Sequence, residues 1–496
     1  MKTGLPQDLG TAAQAYLDAF PPGDVVAFPI HQLDALGLPV WVVALFPDGE
    51  ALSGIMPYGV GYGATDEAAV LGALGEIAEM VWPTLTLGTR AKTSGSYNDL
   101  ATNLGDRSVA DPLTLCLPAG LPVDRDTVLD WVEARRWADG SSVLVPIDLA
   151  AYSRKELSPG YQPFTTIISN GMGAGPDLDW AVGHGLCEIL QRDGNGLLFR
   201  ALDRGVALDL ATRLAESSQA ILDRFAEAGI RAIPKFATDQ FGLPNLYCVG
   251  VDEARAPAAP IMVTACGEAC HPDRTAALDK ALTEYAASRA RKAFAHGPAE
   301  LAATVAPDGY VRRFLAQAGG AAKSSDTRAF DTMRDWTRRD AVTLRGWLAD
   351  TMLSERSTRR FSDLPSQPAA DGHARAARAR AAVEAAGFDI LYVDMSPPDR
   401  AVTVVKVIVP GMEVETMSYY RVGARNTEKL LAMDSPLIGF GEPTEIMRAI
   451  RLTPEDEERL GRPLFDTVAA DAIVGSLYPL YREPEAHHVA ALERSA

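Results

Sequence analysis

Three glutamates, Glu76, Glu188 and Glu284, recur at one place in a repeated sequence unit, and Glu79 follows the first of them by three residues. The unit opens on glycines: Gly59-Val60-Gly61-Tyr62-Gly63, then Gly171-Met172-Gly173-Ala174-Gly175, then Gly267 with Ala269 and His271 in place of the other two. A shift of 112 positions, Gly59 to Gly171, lays Leu74 on Leu186, Glu76 on Glu188 and Glu79 on Gln191 without a gap. A shift of 208, Gly59 to Gly267, brings Ala277, Leu278, Ala281, Leu282 and Glu284 into the same frame. If the copies pack around a common centre, three to four carboxylates converge there. They repel unless cations neutralise them, and hard oxygen ligands suit Mg²⁺ held together with substrate phosphates. The glycines would let backbone approach a ligand, and helix N-termini attract phosphate. The repeat therefore points to a magnesium-nucleotide site. The alternative is an old duplication that preserved packing and left its glutamates solvated.

The elements that must position these groups read as a glycine loop feeding a helix. In the second copy Asp177 or Asp179 can cap, and Val182, Leu186, Ile189 and Leu190 form one apolar stripe at helical spacing. His184, Glu188, Gln191 and Arg192 fall on a different, polar face. No Gly-x-Ser-x-Gly elbow and no P-loop lysine is present, so neither a triad hydrolase nor a Walker-type ATPase is supported.

These residues resemble the YcaO family, ATP-dependent enzymes that activate peptide backbone amides. The resemblance runs from about residue 55 to residue 425. It is carried by Gly59 to Met80, by Ser169-Asn170-Gly171 through Gln191-Arg192-Asp193, and by Gly267 through Glu284 to Arg289. Connecting pieces match as well: Asp111-Pro112-Leu113, Trp131-Val132-Glu133, Val145-Pro146 and Val409-Pro410-Gly411-Met412-Glu413. The chain departs from the family pattern at Gly72 (serine), Met80 (arginine), Gln191 (the second motif's second glutamate) and Ala287 (glutamine).

The resemblance implies an α/β fold: a YcaO-like core of glycine-loop/helix repeats on mixed β-sheets, with a helical insertion and a C-terminal α/β segment. It implies ATP and Mg²⁺ as cofactors, with Glu76, Glu79, Glu188 and Glu284 holding the metal and Gln191 assisting. Arg192 and Arg289 would contact phosphate, Gly61, Gly63, Gly171 and Gly173 would lie near the nucleotide, and no residue is singled out as catalytic. The implied chemistry is phosphorylation of a peptide amide oxygen on the way to an azoline, thioamide or amidine in a ribosomally made precursor peptide. A separate helper protein, E1-like or TfuA-like, and a homodimer are implied as partners. Two other readings stand beside it: a degenerate member that binds peptide or partner without turnover, and an accessory factor for sulfur modification of a ribosomal protein.

Composition is ordinary for a globular protein, with hydrophobic content near half. The 496 residues carry a net charge of −18, which argues against bulk nucleic acid and anionic membranes as partners. Met1 to Phe20 lacks the pattern of a secretory signal, and no stretch approaches the roughly 18 uninterrupted apolar residues of a membrane span. Five scattered cysteines suggest a reducing cytoplasm rather than a disulfide frame.

In chain order, residues 1–50 read as a lead-in with a short helix near Thr11 to Phe20, strands at 25–29 and 40–45, and a hairpin turn at Pro47-Asp48-Gly49. Residues 51–297 form the repeat-bearing core, 298–385 a helical and polar insertion, 386–451 the closing part of the same domain and 452–496 a tail. Thr127 to Trp137 reads as a short helix, Leu301 to Leu353 as helical and Ser354 to Ala374 as a mobile loop. The residues 388–410 alternate as two strands about Pro397-Pro398. His184 and His271 read as structural histidines, Cys187 as a core thiol, and Arg421, Arg425 and Asn426 as groups that could face substrate.

Overall fold

The structure, a computed structural model, describes residues 2–319 and 326–493. Residues 320–325 of the expected helical stretch therefore lie outside the described residues. The chain is mixed α/β and folds as two compact units, each built from separated segments. The first takes residues 1–81, 198–368 and 476–496; the second takes 82–197 and 369–475. Residues 2–50 fall in the first unit, and Pro368 ends one of its segments.

The first unit holds two sheets. One runs Lys2–Thr3, Gly23–Pro29, Val40–Pro47, Tyr58–Tyr62, parallel at its first pair and antiparallel after. Val40–Pro47 is an unbroken apolar run buried almost throughout, as a strand paired on both sides should be. The other sheet runs Gly267–Cys270, Asn245–Asp252, Ile230–Thr238, Val206–Asp209, Ser357–Arg360. Its last strand corrects the expected mobile loop at 354–374. Ser357–Arg360 pairs parallel with Val206–Asp209, and the guanidinium of Arg274 donates to the Ser362 and Leu364 carbonyls at 2.7 and 2.8 Å. Polar composition read as mobility; backbone pairing decides otherwise. The described part of 301–353 forms four short helices.

The second unit contains the order Thr93–Gly95, Leu129–Arg136, Leu391–Asp394, Thr403–Ile408, Met172–Gly175, with Ser142–Pro146 also paired to Leu129–Arg136. A small sheet of Ile438–Gly439, Leu464–Asp466 and Met447–Ala449 lies in the same unit. The strand Leu129–Arg136 corrects the helix expected at 127–137. Its side chains alternate between buried and exposed toward the end, and it forms a hairpin with Ser142–Pro146 across the Asp139-Gly140 turn. Trp131 is fully buried and its indole donates to the Gly95 carbonyl at 2.9 Å. The two strands expected within 388–410 are Leu391–Asp394 and Thr403–Ile408, antiparallel to each other.

Each repeat is a strand followed by a helix rather than a glycine loop followed by a helix. The strands are Tyr58–Tyr62, Met172–Gly175 and Gly267–Cys270; their helices are Asp66–Thr86, Leu178–Asn195 and Arg274–His296. The glycines serve close packing of strand on helix. A Cβ at Gly61 would lie 1.8 Å from the Ala69 carbonyl oxygen, and one at Gly173 would lie 2.1 Å from that of Ala181. Only a strand without side chains on that face can approach helix backbone so closely. Among the described residues, 66–89 is the one helical stretch long and apolar enough to cross a membrane, and half of that window is buried inside the fold.

Candidate magnesium and nucleotide site

The three repeat glutamates share one anchoring device. In the first copy the Val60 N–H donates to Glu76 Oε2 at 2.9 Å. In the second the Gly171 N–H donates to Glu188 Oε2 at 2.9 Å, and in the third the Glu268 N–H donates to Glu284 Oε1 at 3.1 Å. Each helix therefore returns its carboxylate to backbone in the preceding strand or, at Gly171, just before it. Such a bond favours the ionised carboxylate and fixes its rotamer.

In the first unit, Glu284 also accepts from the Tyr62 hydroxyl on Oε2 at 2.6 Å, which ties the first copy's strand to the third copy's helix. Burial raises the Glu284 pKa; Lys280 and the Tyr62 hydrogen bond pull it down, and neighbouring Glu268 adds to the rise. Burial, with Glu284 beside it, pushes the Tyr62 phenol well above its ordinary value. Glu268 is buried and paired with Arg200 at 3.0 Å. Arg200 holds that pairing at φ +61°, a left-handed backbone uncommon for a bulky residue. Glu76 is exposed and Glu79 is half-buried in the same unit.

Arg289, expected at phosphate, is engaged elsewhere. Its guanidinium is 1% exposed and clamps two buried carboxylates, with Nε to Asp34 Oδ2 at 2.7 Å and a second nitrogen to Asp252 Oδ1 at 2.8 Å. Neither aspartate belongs to a repeat, so no spacing in the sequence announces the clamp. The arginine satisfies a structural charge deficit, and its donors face inward.

In the second unit, Asp177 caps its helix by accepting from the Trp180 N–H at 3.0 Å and also meets His373 Nε2 at 2.7 Å. Glu188 Oε1 lies 3.5 Å from Arg192, one turn on, and both side chains are about a quarter exposed. Gln191 is buried and His184 exposed on the same helix. Cys187 is buried, as expected of a core thiol. The residues expected to face substrate are turned inward. Arg421 is 1% exposed and donates to Thr165 Oγ1 at 2.7 Å and to the Thr166 carbonyl. Arg425 pairs with buried Asp193, and buried Asn426 donates to Thr416 Oγ1 at 3.1 Å.

Among the described residues, no three His, Cys, Asp or Glu side chains already form a metal cage. The donor set nevertheless fits Mg²⁺ with nucleotide. That ion takes one or two protein carboxylates and completes its shell with water and phosphate oxygens, rather than using an all-protein cage. Anchored glutamates with hard oxygens would suit that role.

With the fold and the anchored glutamates in place, the comparison with known proteins is decisive. The family described as "YcaO cyclodehydratase, ATP-ad Mg2+-binding" matches residues 60–413. The chain belongs to the YcaO family. An uncharacterized protein of Methanothermobacter thermautotrophicus is 27% identical over 400 residues, covering 80% of this chain and 91% of the relative. A solved "Heterocyclase in complex with substrate and Cofactor" superposes with TM-score 0.61 at 18% identity, covering 87% of this chain and 56% of that one. The chain thus spans little more than half the length of that heterocyclase. The structure of YcaO from Methanopyrus kandleri bound with AMPPCP and Mg²⁺ gives TM-score 0.54 at 16% identity, covering 83% and 91% of the two chains. At these identities the likeness is one of fold. This is an enzyme-class YcaO chain, of a family whose cofactors are ATP and Mg²⁺.

Proposed function

We propose that this YcaO chain uses ATP to O-phosphorylate a backbone amide of a ribosomally made peptide, so that a nucleophile replaces the oxygen. The observation that carries the reading is the anchored glutamate found in all three repeats, in a chain of this family. Glu76, Glu79 and Glu284 in the first unit, and Glu188 with Gln191 in the second, are the proposed Mg²⁺ ligands. Gln191 is a neutral donor, so the second unit's pair carries one negative charge where two glutamates would give two. Arg192 is the proposed phosphate contact, being about a quarter exposed and already at the edge of a carboxylate. Arg289 takes a structural role in this account, and Gly61, Gly63, Gly171 and Gly173 act on the nucleotide through the helices they seat.

Bound ATP supplies the phosphoryl group that turns a poor leaving oxygen into phosphate. The chain's share is to orient the amide, hold carboxylates ready and keep cationic side chains near developing charge. A substrate cysteine or serine would give an azoline, sulfide a thioamide and an amine an amidine. A precursor peptide, a separate helper protein and a homodimeric assembly belong to the same proposal.

The test is ATP-Mg²⁺ binding by calorimetry on the full chain, wild type against Glu76→Ala and Glu188→Ala, followed by the mass change of candidate peptides. The proposal expects both substitutions to abolish binding. Wild-type protein that is folded and binds no nucleotide, alone or with peptide, would favour the second reading, a peptide-binding scaffold. That reading draws on Gly72, Met80, Gln191 and Ala287 and on the withdrawal of Arg289 into its clamp.

A further inference from the structure

We propose that Tyr62 is a positioning residue for Glu284, fixing the orientation in which that carboxylate is offered to Mg²⁺; this rests on the reading of Glu284 as a metal ligand. Tyr62 and Glu284 are 222 residues apart in sequence, one in the first repeat's strand and the other in the third repeat's helix. The hydroxyl donates to Oε2 at 2.6 Å while the Glu268 N–H donates to Oε1 at 3.1 Å, so each oxygen has its own donor.

A glutamate carboxyl turns about a broad, roughly two-fold torsion, and two donors on two oxygens remove that freedom. Both donors are uncharged, so they orient the group without cancelling its charge. The carboxylate that competes for neutralisation in the neighbourhood, Glu268, has Arg200 as its own partner. Mg²⁺ demands near-ideal geometry and gains from ligands already held in place. Hydrogen-bond partners of ligating carboxylates are worth about 10- to 100-fold in metal affinity. The device belongs to one copy: the repeat shifts carry Tyr62 to Ala174 and Cys270, and neither supplies a phenol.

The experiment titrates Mn²⁺, as an EPR-visible probe with Mg²⁺ competition, into the full chain with a non-hydrolysable ATP analogue. Tyr62→Phe is expected to weaken binding about 10- to 100-fold. Glu284→Gln is expected to weaken it at least as much, and the double variant no further than Glu284→Gln alone. Wild-type affinity in Tyr62→Phe beside a weakened Glu284→Gln would overturn this proposal and leave the metal reading standing. Wild-type affinity in Glu284→Gln would overturn the metal reading itself. An equal loss from Tyr62→Phe in both backgrounds would show that the ring acts through packing, which also overturns the proposal. Should Tyr62→Phe not fold, Glu284→Asp keeps the charge but withdraws it from the phenol, and the same loss is expected; unchanged affinity there counts against Tyr62.

Discussion

The second and third repeats carry the same strand-helix frame and place its glutamate in different hydrogen-bonding surroundings. Glu188 is met by an arginine of its own helix, Arg192, where both side chains are about a quarter exposed. Glu284 is met by uncharged donors, and its helix's arginine, Arg289, is turned away into a pair of buried aspartates. The helix ends differ in sign as well. Near the end of the second helix, buried Asp193 is held by Arg425. Toward the end of the third, Arg291, Lys292 and His296 gather on Glu483, at 2.7, 2.5 and 3.2 Å. Duplication thus preserved the placement of one carboxylate and let the charges around it diverge. Equivalent positions in a repeat need not keep equivalent work.

That contrast can be broken most forcefully at the two arginines. Arg289→Met strands Asp34 and Asp252 in the interior and is expected to cost about 3–5 kcal/mol in urea unfolding. A loss below about 1 kcal/mol would mean the clamp is not structural. Gly173→Ala tests the shared frame: its Cβ would meet helix backbone, and overpacking of about 3 kcal/mol is expected, read as a lowered melting temperature.

The cation cluster at the third helix gives a pH-dependent test. Burial pushes the Glu483 carboxyl up, but Arg291, Lys292 and His296 more than reverse it and hold it well below the usual carboxylate range. A depressed carboxylate contributes stability that is present above its unfolded value, about pH 4.3, and is lost as pH falls through the folded value. His296 is held below its ordinary value by burial, so protonation of the unfolded chain drains stability as pH falls below about 6.5. Thermal melts should therefore fall below about pH 6.5 through His296 and again below about pH 4.3 through Glu483, and Glu483→Gln should be less stable than wild type at pH 7 and lack the lower part of that acid limb. A variant with an unchanged acid limb would show that the tail carboxylate does not govern it. The smallest effect is expected from Arg192→Ala: the pair is partly exposed and one turn apart, so about 0.5 kcal/mol or less is lost. Its nucleotide affinity should fall all the same, which would separate the site arginine from the structural one.

Much of the site was legible because a repeat writes itself into spacing. The gapless shift from Gly59 to Gly171 placed Glu76 and Glu188 in register, and the structure finds each bonded to a backbone N–H of its own repeat, from Val60 within the strand in the first and from Gly171 just before it in the second. The shift to Gly267 even equates Val60 with Glu268, the two backbone donors of the first and third copies. The strands at Thr403–Ile408 and Leu391–Asp394 were legible from alternation. Leu129–Arg136 was not, because charged residues spaced along it imitate a helix until the hairpin with Ser142–Pro146 is seen. The glycines read as loops because a glycine run carries no record of what lies against it.

Family, α/β class and the positions of the repeat glutamates are readable from the residues alone, since periodic and local patterns survive in one dimension. What surrounds each of them is set by folding. Tyr62 reaches Glu284 across 222 residues, Arg289 finds Asp34 across 255, and Arg421 turns to Thr165 across 256. Hydrogen bonds and ion pairs depend on distances of about 3 Å between side chains, and chain separation carries no information about those distances until the backbone has folded.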